Sequence, residues 1–274
     1  MPATLNIVGA GHVGRTLGRL FAAHGVFSVQ DVLTRSIGSA QDAVGFIGAG
    51  RALAGLAELR PAAVWMLAVS DDAIAPTCAA LAAAGLLDGA VVFHCSGAKA
   101  SSELQAPGTA VASVHPVRSF ADPEGVAAAF AGTWCGVEGD AAALALLAPA
   151  FEAIGARLVH IDAAAKTVYH AASVFAANYL VTVLDAALRA YVAAGVPEAV
   201  ARELARPLAS ETLANVFRLG PAAALSGPVA RGDVATVARQ QAAVSDWDGP
   251  TGQLYAALVE ATTALAERKR RGQP

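Results

Sequence analysis

"NIVGAGHVGRTLGRLFAAHG", residues 6–25, decides how the rest of the chain is read. The apolar run 4–8 leads straight into Gly9-Ala10-Gly11-His12-Val13-Gly14, and that element opens a helix-like segment over 12–24. A strand that turns through three spaced glycines into a helix has the form of a dinucleotide site. The first glycine permits the sharp turn, the second lets a pyrophosphate approach the backbone, and the third lets helix and strand pack closely. Free amides at the positive end of the helix then face the phosphates. Gly9, Gly11, His12, Val13 and Gly14 are the candidate phosphate contacts; the alternative is a tight turn that holds no ligand.

The next strand, predicted over 29–34, ends in Thr34, Arg35 and Ser36, about 20 residues downstream. NAD-preferring sites place an Asp or Glu there against the ribose hydroxyls. A guanidinium between two hydroxyls instead suits a 2′-phosphate, through paired charge-assisted hydrogen bonds. NADP is the expected cofactor, the alternative being a solvated arginine at a strand end. Asp31 lies inside the strand, three residues too early to take the acidic role. A third strand, 63–68, leads into "AVSDDAI", which puts Val69 and Ser70 at the carboxyl edge of the sheet, where ligands bind. Ser70 belongs there beside the cofactor ribose or as a helix N-cap.

Outward from this core the rhythm continues, with further strands predicted over 90–94, 110–115, 133–137 and 157–161 and a helix over 141–154. After Asp162 strand-like runs vanish, and helices are predicted over 163–194, 197–218, 234–243 and 252–270. The expected fold is therefore α/β: a Rossmann-type, doubly wound, mostly parallel sheet over 1–161, then an all-helical domain over 162–274. Gly195, before Pro197, is placed to end the first long helix in a left-handed cap.

The 274 residues are 55% hydrophobic and 15% charged. Much of that apolar share is alanine, and no stretch of 18 residues runs free of charge, Gly, Pro or polar breaks, so no membrane association is expected. No signal-peptide pattern opens the sequence. Cys78, Cys95 and Cys135 form no CxxC pair, which fits reduced cytoplasmic thiols and no metal site. A net charge of −3 offers nucleic acid no general attraction. The one basic run, 268–271, reads as a solvated tail after the last helix.

Less ordinary residues cluster at strand ends and on one helix. "VVFHCSGAKASSEL" brings His94 and Ser96, and "ASVHPVRSF" brings His115, to the same predicted sheet edge, where such groups can converge on one substrate. Ser96 has no base beside it and no GxSxG elbow, so a hydrogen bond to substrate or nicotinamide amide suits it better than nucleophilic attack. On the long helix Lys166 and His170 share a face, with Ser173 and Asn178 along the same stripe. That stripe either lines a cavity or faces water; Tyr169, Phe175 and Tyr179 read as core. In "LSGPVARGDVATV", Asp233 is the natural N-cap of the following helix, and Arg231 is a possible anion contact.

Together GAGHVG, "AVSDDAI", "HCSGA", "SVHPVRSF", "KTVYHAASVFAANYL" and "GPVARGD" resemble a bacterial family of predicted oxidoreductases. That family joins a Rossmann-like NADP-binding domain to a helical C-terminal domain of unknown function. More distantly the chain is similar to pyrroline-5-carboxylate reductase, deazaflavin-dependent NADP reductase and the β-hydroxyacid dehydrogenases, including a helical domain like that of 6-phosphogluconate dehydrogenase. The resemblance implies dimerisation through the helices. It also implies a lysine on the long helix facing the nicotinamide: Lys166 matches it, while His170 stands where an asparagine is usual. The expectation is an NADP-dependent oxidoreductase moving hydride to or from a small carbonyl, hydroxyacid or imine. Lys166, His170, Ser96 and His94 are its catalytic candidates, and His115 and Asn178 its substrate contacts. A non-catalytic NADP-binding or sensor protein is the alternative.

Overall fold

The structure, a computed structural model, describes residues 1–272. In chain order its first half runs β1 (Ala3–Val8), α1 (His12–Ala23), β2 (Phe27–Leu33), α2 (Ile37–Ile47), β3 (Arg51–Leu53), β4 (Val64–Leu67) and α3 (Asp71–Ala83). Then come β5 (Val91–His94), β6 (Ala110–Pro116), α4 (Pro123–Ala128), β7 (Trp134–Gly139), α5 (Ala141–Ala153) and β8 (Arg157–His160). All eight strands form one sheet in the order β3-β2-β1-β4-β5-β6-β7-β8. Pairing is parallel throughout except between β6 and β7. The order reverses between β1 and β4, and such a switch point opens a crevice at the carboxyl ends of the strands. The sequence reading finds every strand but β3, whose three residues are too few to show a period.

Alternation along the strands feeds two apolar layers, because successive side chains point to opposite faces. Ile7, Met66 and Phe93 join Leu17, Phe21 and Phe151 on the face covered by α1, α2 and α5. Val8, Trp65, Leu67 and Val92 join Ile74, Cys78 and Leu81 of α3 on the other. Phe21 meets Phe27 and Phe151 edge to face, with ring centroids 5.1 and 5.2 Å apart. One charge is sealed in this unit away from the crevice: Asp31 is fully buried and bridged by Arg51 at 3.0 Å and Arg60 at 2.6 Å. Burial pushes its carboxyl up, but the bonds to Arg60 and Arg51 outweigh that and hold it below the usual range.

The chain then runs α6 (Lys166–Val174), a π-helical turn (Phe175–Tyr179), α7 (Leu180–Ala193), α8 (Glu198–Leu219), α9 (Pro221–Ala224), α10 (Gly227–Arg231), α11 (Val234–Trp247) and α12 (Gly249–Arg270). The described residues form two compact units that divide between Ala177 and Asn178, so the change to helices alone falls after β8 while α6 still belongs to the sheet unit. Gly195 is left-handed at φ +90°. Asp233 caps α11, accepting from the Thr236 amide at 3.0 Å. The basic run is not a frayed tail: Arg268, Lys269 and Arg270 close α12, and Lys269 donates to the carbonyls of Ala223 and Leu225. Cations there also suit the negative helix end.

One described helical run, Ala163–Ala193, is long and apolar enough to cross a membrane by length and composition. Its first turn is fastened to the sheet through Lys166, and Asp185 pairs with Arg189 within it at 3.0 Å. A crossing there strips a buried ion pair and immerses further charges.

Candidate active site

Each fingerprint glycine has its own reason. Gly9 sits at φ +83°, and a Cβ there comes within 2.7 Å of the Ala68 backbone. A Cβ on Gly14 runs into the Gly9 carbonyl, while Gly11 has nothing within 4 Å and faces open space. The fingerprint therefore turns tightly, packs α1 on β1, and leaves its middle glycine bare toward a groove of about 670 Å³. Gly9, Gly11, Thr34, Arg35, Val69 and Ser70 line that groove. The exposed Arg35 has no hydrogen bond or ion pair from the described residues and lies free for an anion. Ser36 is occupied elsewhere: it caps α2 by accepting from the Ser39 amide, and Thr34 donates to the Ser36 carbonyl. His12 opens α1 without lining the groove. Sequence reasoning missed Arg15, whose Nε holds the Ala10 carbonyl at 3.2 Å while the side chain borders the groove.

A cavity of about 270 Å³ adjoins this groove, sharing Ala68 and Val69 with it. Val13, Ser96, Gly97, His115 and His170 form part of its wall, and Asp71 and Arg118 are its charged members. Its floor is the carboxyl edge of β4, β5 and β6. Side chains of α6 reach the same strands: Lys166 meets Ser113 of β6 and Glu138 of β7, and Tyr169 meets His115 of β6. Tyr169 donates to or accepts from His115 Nδ1 at 3.0 Å, so the side chain read as core belongs to the site. The imidazoles of His115 and His170 stand 5.8 Å apart between ring centroids. Gly97 lies against both: a Cβ there comes within 2.7 Å of His115 Cε1 and collides with His170 Cδ2. Burial first, then the neighbouring His170 and Lys166, lower the His115 pKa to about 4, so this ring is neutral at pH 7.

Lys166 lies beneath the cavity rather than on its wall. It is 3% exposed. Its ammonium donates to the Ser96 carbonyl at 3.1 Å and to Ser113 Oγ, and pairs with Glu138 Oε1 at 3.4 Å. Three protons thus meet three acceptors. Burial lowers the lysine pKa and Glu138 opposes that shift. Glu138 in turn accepts from the Ser101 amide at 2.8 Å and hydroxyl at 2.6 Å. Ser96 Oγ accepts from the amides of Ala98 and Lys99, fixing the turn above.

His94 is also fully buried. Its Nδ1 accepts from the Ser96 amide at 3.2 Å, which leaves Nε2 as the donor to Ala100 at 3.1 Å. Burial lowers its pKa, and both ring nitrogens are used by backbone. Of the polar candidates, Ser96, His115 and His170 meet in the cavity, while Lys166 and His94 support its floor. Asn178 falls in the second unit, exposed, its carbonyl accepting from Thr182. Glu138 was missed, though a lone carboxylate inside "TWCGVEG" signals a buried partner.

Residues 133–262 match the model of a family described as Domain of unknown function (DUF2520). No curated protein matches the chain. Among solved structures, the Thermotoga maritima protein TM1727 is 28% identical, with a TM-score of 0.76 over 97% of this chain and 99% of that one. A Bacteroides fragilis protein, BF3122, provisionally named as an NADP oxidoreductase, is 20% identical, with a TM-score of 0.79 over 96% and 98%. A Plasmodium falciparum pyrroline carboxylate reductase with NADP bound is 12% identical, with a TM-score of 0.58 over 96% and 98%. These likenesses agree with the Rossmann-like, two-part architecture that the sequence motifs imply.

Proposed function

We propose that the protein is an NADP-dependent oxidoreductase acting on a small carbonyl, hydroxyacid or imine substrate. The observation that carries this reading is the histidine-walled cavity continuous, through Ala68 and Val69, with the glycine-floored groove. The cofactor fits the residues present: Gly11 is bare toward the groove, the start of α1 offers amides, and Arg35 is an unpaired cation where a 2′-phosphate belongs. When bound, NADPH supplies a hydride from C4 of its nicotinamide. Gly9, Gly11 and Val13 would hold the pyrophosphate, and Thr34 and Arg35 the adenosine end. Ala68 and Val69 lie between groove and cavity, Ser96 is on the cavity wall, and the cavity's histidines would supply or remove the proton that accompanies hydride at oxygen or nitrogen. A protein provisionally named as an NADP oxidoreductase and a pyrroline carboxylate reductase with NADP bound, both of similar fold, support the reading.

Calorimetry with NADPH, followed by NADPH oxidation against a panel of oxoacids and cyclic imines, tests the reading. Micromolar NADPH binding and turnover of one panel class is expected. No NADPH binding refutes it, and binding without turnover on any compound favours a dinucleotide sensor.

The helical unit supports a second proposal, a symmetric homodimer formed there. Its helices bury little: α7 and α11 bury no residue, and α8 buries only Ala201. Phe217, Val234 and Leu208 are 87%, 77% and 60% exposed, and so much open apolar surface is what partners cover. Light scattering at tens of micromolar, on the order of ordinary assay conditions, checks it; a monomer there refutes it.

A further inference from the structure

Hydride delivery needs a proton donor or acceptor at the substrate, and the cavity offers several titratable groups. Asp71 at the start of α3, Cys95, His115 and Arg118 share the cavity wall with His170, while Tyr169 is bonded to His115 and Lys166 lies beneath the wall against the Ser96 carbonyl. Lys166 has every ammonium proton engaged by Ser96, Ser113 and Glu138, so it has none to present to the cavity. Arg118 is tied to the Ala129 carbonyl and to Thr133 Oγ1. Burial raises the Cys95 thiol, with Cys135 adding to the shift, which keeps it protonated. His115 already shares Nδ1 with the Tyr169 hydroxyl. Asp71 is exposed to solvent in the first turn of α3, and the Tyr169 hydroxyl is engaged with His115. His170 is left: its half-buried ring lies on the wall, and no described residue hydrogen-bonds it.

We infer that His170 is the proton-transfer group of the cavity, backed by His115 and Tyr169, and that Lys166 is a positioning residue. The Lys166–Glu138 pair holds the Ser96 carbonyl and so the Ser96–Gly97 turn, and both imidazoles rest on the bare Cα of Gly97. In the reductive direction the substrate carbon gains hydride from NADPH, its oxygen or nitrogen gains the proton of the His170 imidazolium, and NADP⁺ remains. Solvent then reprotonates the ring. This division of roles rests on the oxidoreductase reading above.

The test needs no substrate. Oxidised NADP⁺ carries a positive nicotinamide and NADPH a neutral one, so an imidazolium beside the ring weakens NADP⁺ selectively. The ratio Kd(NADP⁺)/Kd(NADPH) from calorimetry should rise at least about threefold as pH falls from about 8 to 5.5. His170→Asn should flatten it. Lys166→Met/Glu138→Gln, which removes both charges together, should keep the direction of the dependence with smaller amplitude. Gly97→Ala, which displaces the rings without changing charge, should do the same and serves if the double variant does not fold. A pH-independent ratio in the wild type, or full dependence in His170→Asn, overturns the assignment. Wild-type amplitude in both the double variant and Gly97→Ala refutes the positioning role. Absence of binding by either cofactor form overturns the oxidoreductase reading and this inference with it; binding with a flat ratio overturns this inference alone.

Discussion

Replacing Lys166 by methionine should do more damage than replacing Lys166 and Glu138 together. The single change leaves the Glu138 carboxyl, 7% exposed, without its cation and held only by the amide and hydroxyl of Ser101. The Ser96 carbonyl keeps Ser113 as its donor, but Ser113 Oγ loses the ammonium. Breaking a buried pair from one side costs about 3–5 kcal/mol, because an uncompensated charge stays behind. In Lys166→Met/Glu138→Gln the glutamine oxygen still accepts from the Ser101 amide and its NH₂ still meets the Ser101 hydroxyl. No charge is stranded, and the methionine fills the volume of the lysine stem. The double variant should therefore recover about 1–3 kcal/mol of the loss. Urea unfolding followed by tryptophan fluorescence reads this out: Trp65 and Trp134 lie in the sheet unit and Trp247 in the helical one, so a Trp247→Phe background isolates the sheet transition. Losses that simply add, with the double variant as unstable as the sum of the singles, would falsify the claim that Lys166 and Glu138 act as one unit.

Arg35→Ala should weaken NADPH by about 1.5–3 kcal/mol and leave NADH nearly unchanged, the difference being the charge-assisted bonds to the 2′-phosphate; equal affinities for both cofactors in the wild type count against the assignment. Acid should destabilise the sheet unit through His115. Its folded pKa of about 4 lies below the unfolded value of 6.5, so the unfolded chain binds the extra proton and stability falls as pH drops through that window, by at most about 3 kcal/mol. His115→Asn should flatten that limb in a pH series of urea melts, and an unaltered limb refutes the cause. Gly9→Ala should impair folding of the glycine turn more than Gly11→Ala, since only Gly9 combines a left-handed φ with contact on the Ala68 backbone. For Gly11→Ala the expected outcome is a stable protein with weakened NADPH binding, and comparable melting losses for both variants refute the distinction.

The legible part of this protein is the part where one residue type answers one local demand. Glycines at 9, 11 and 14 and the apolar alternation of 64–67 and 91–94 can be read without knowing any partner, because turn geometry and strand period are local properties. What escaped is set by pairs. Lys166 shows on a sequence only that a cation interrupts an alanine-rich helix, and whether it meets reactants or a carboxylate depends on Glu138, 28 residues earlier and on another strand. Tyr169 was assigned to core on its size, since no spacing rule announces that its hydroxyl reaches His115 across 54 residues. His94 and His115 look alike as strand-end histidines, yet one is consumed by its own loop's backbone and the other stands open to a cavity. The two isolated charges in otherwise apolar segments, Glu138 in "TWCGVEG" and Lys166 after "DAAA", were the readable clue. Neither is stable buried alone, so each one's burial requires the other, and the pair places the first turn of α6 against β6 and β7. With Lys166 drawn down onto Glu138, the next residues on that face, Tyr169 and His170, are the ones left at the level of the carboxyl edge.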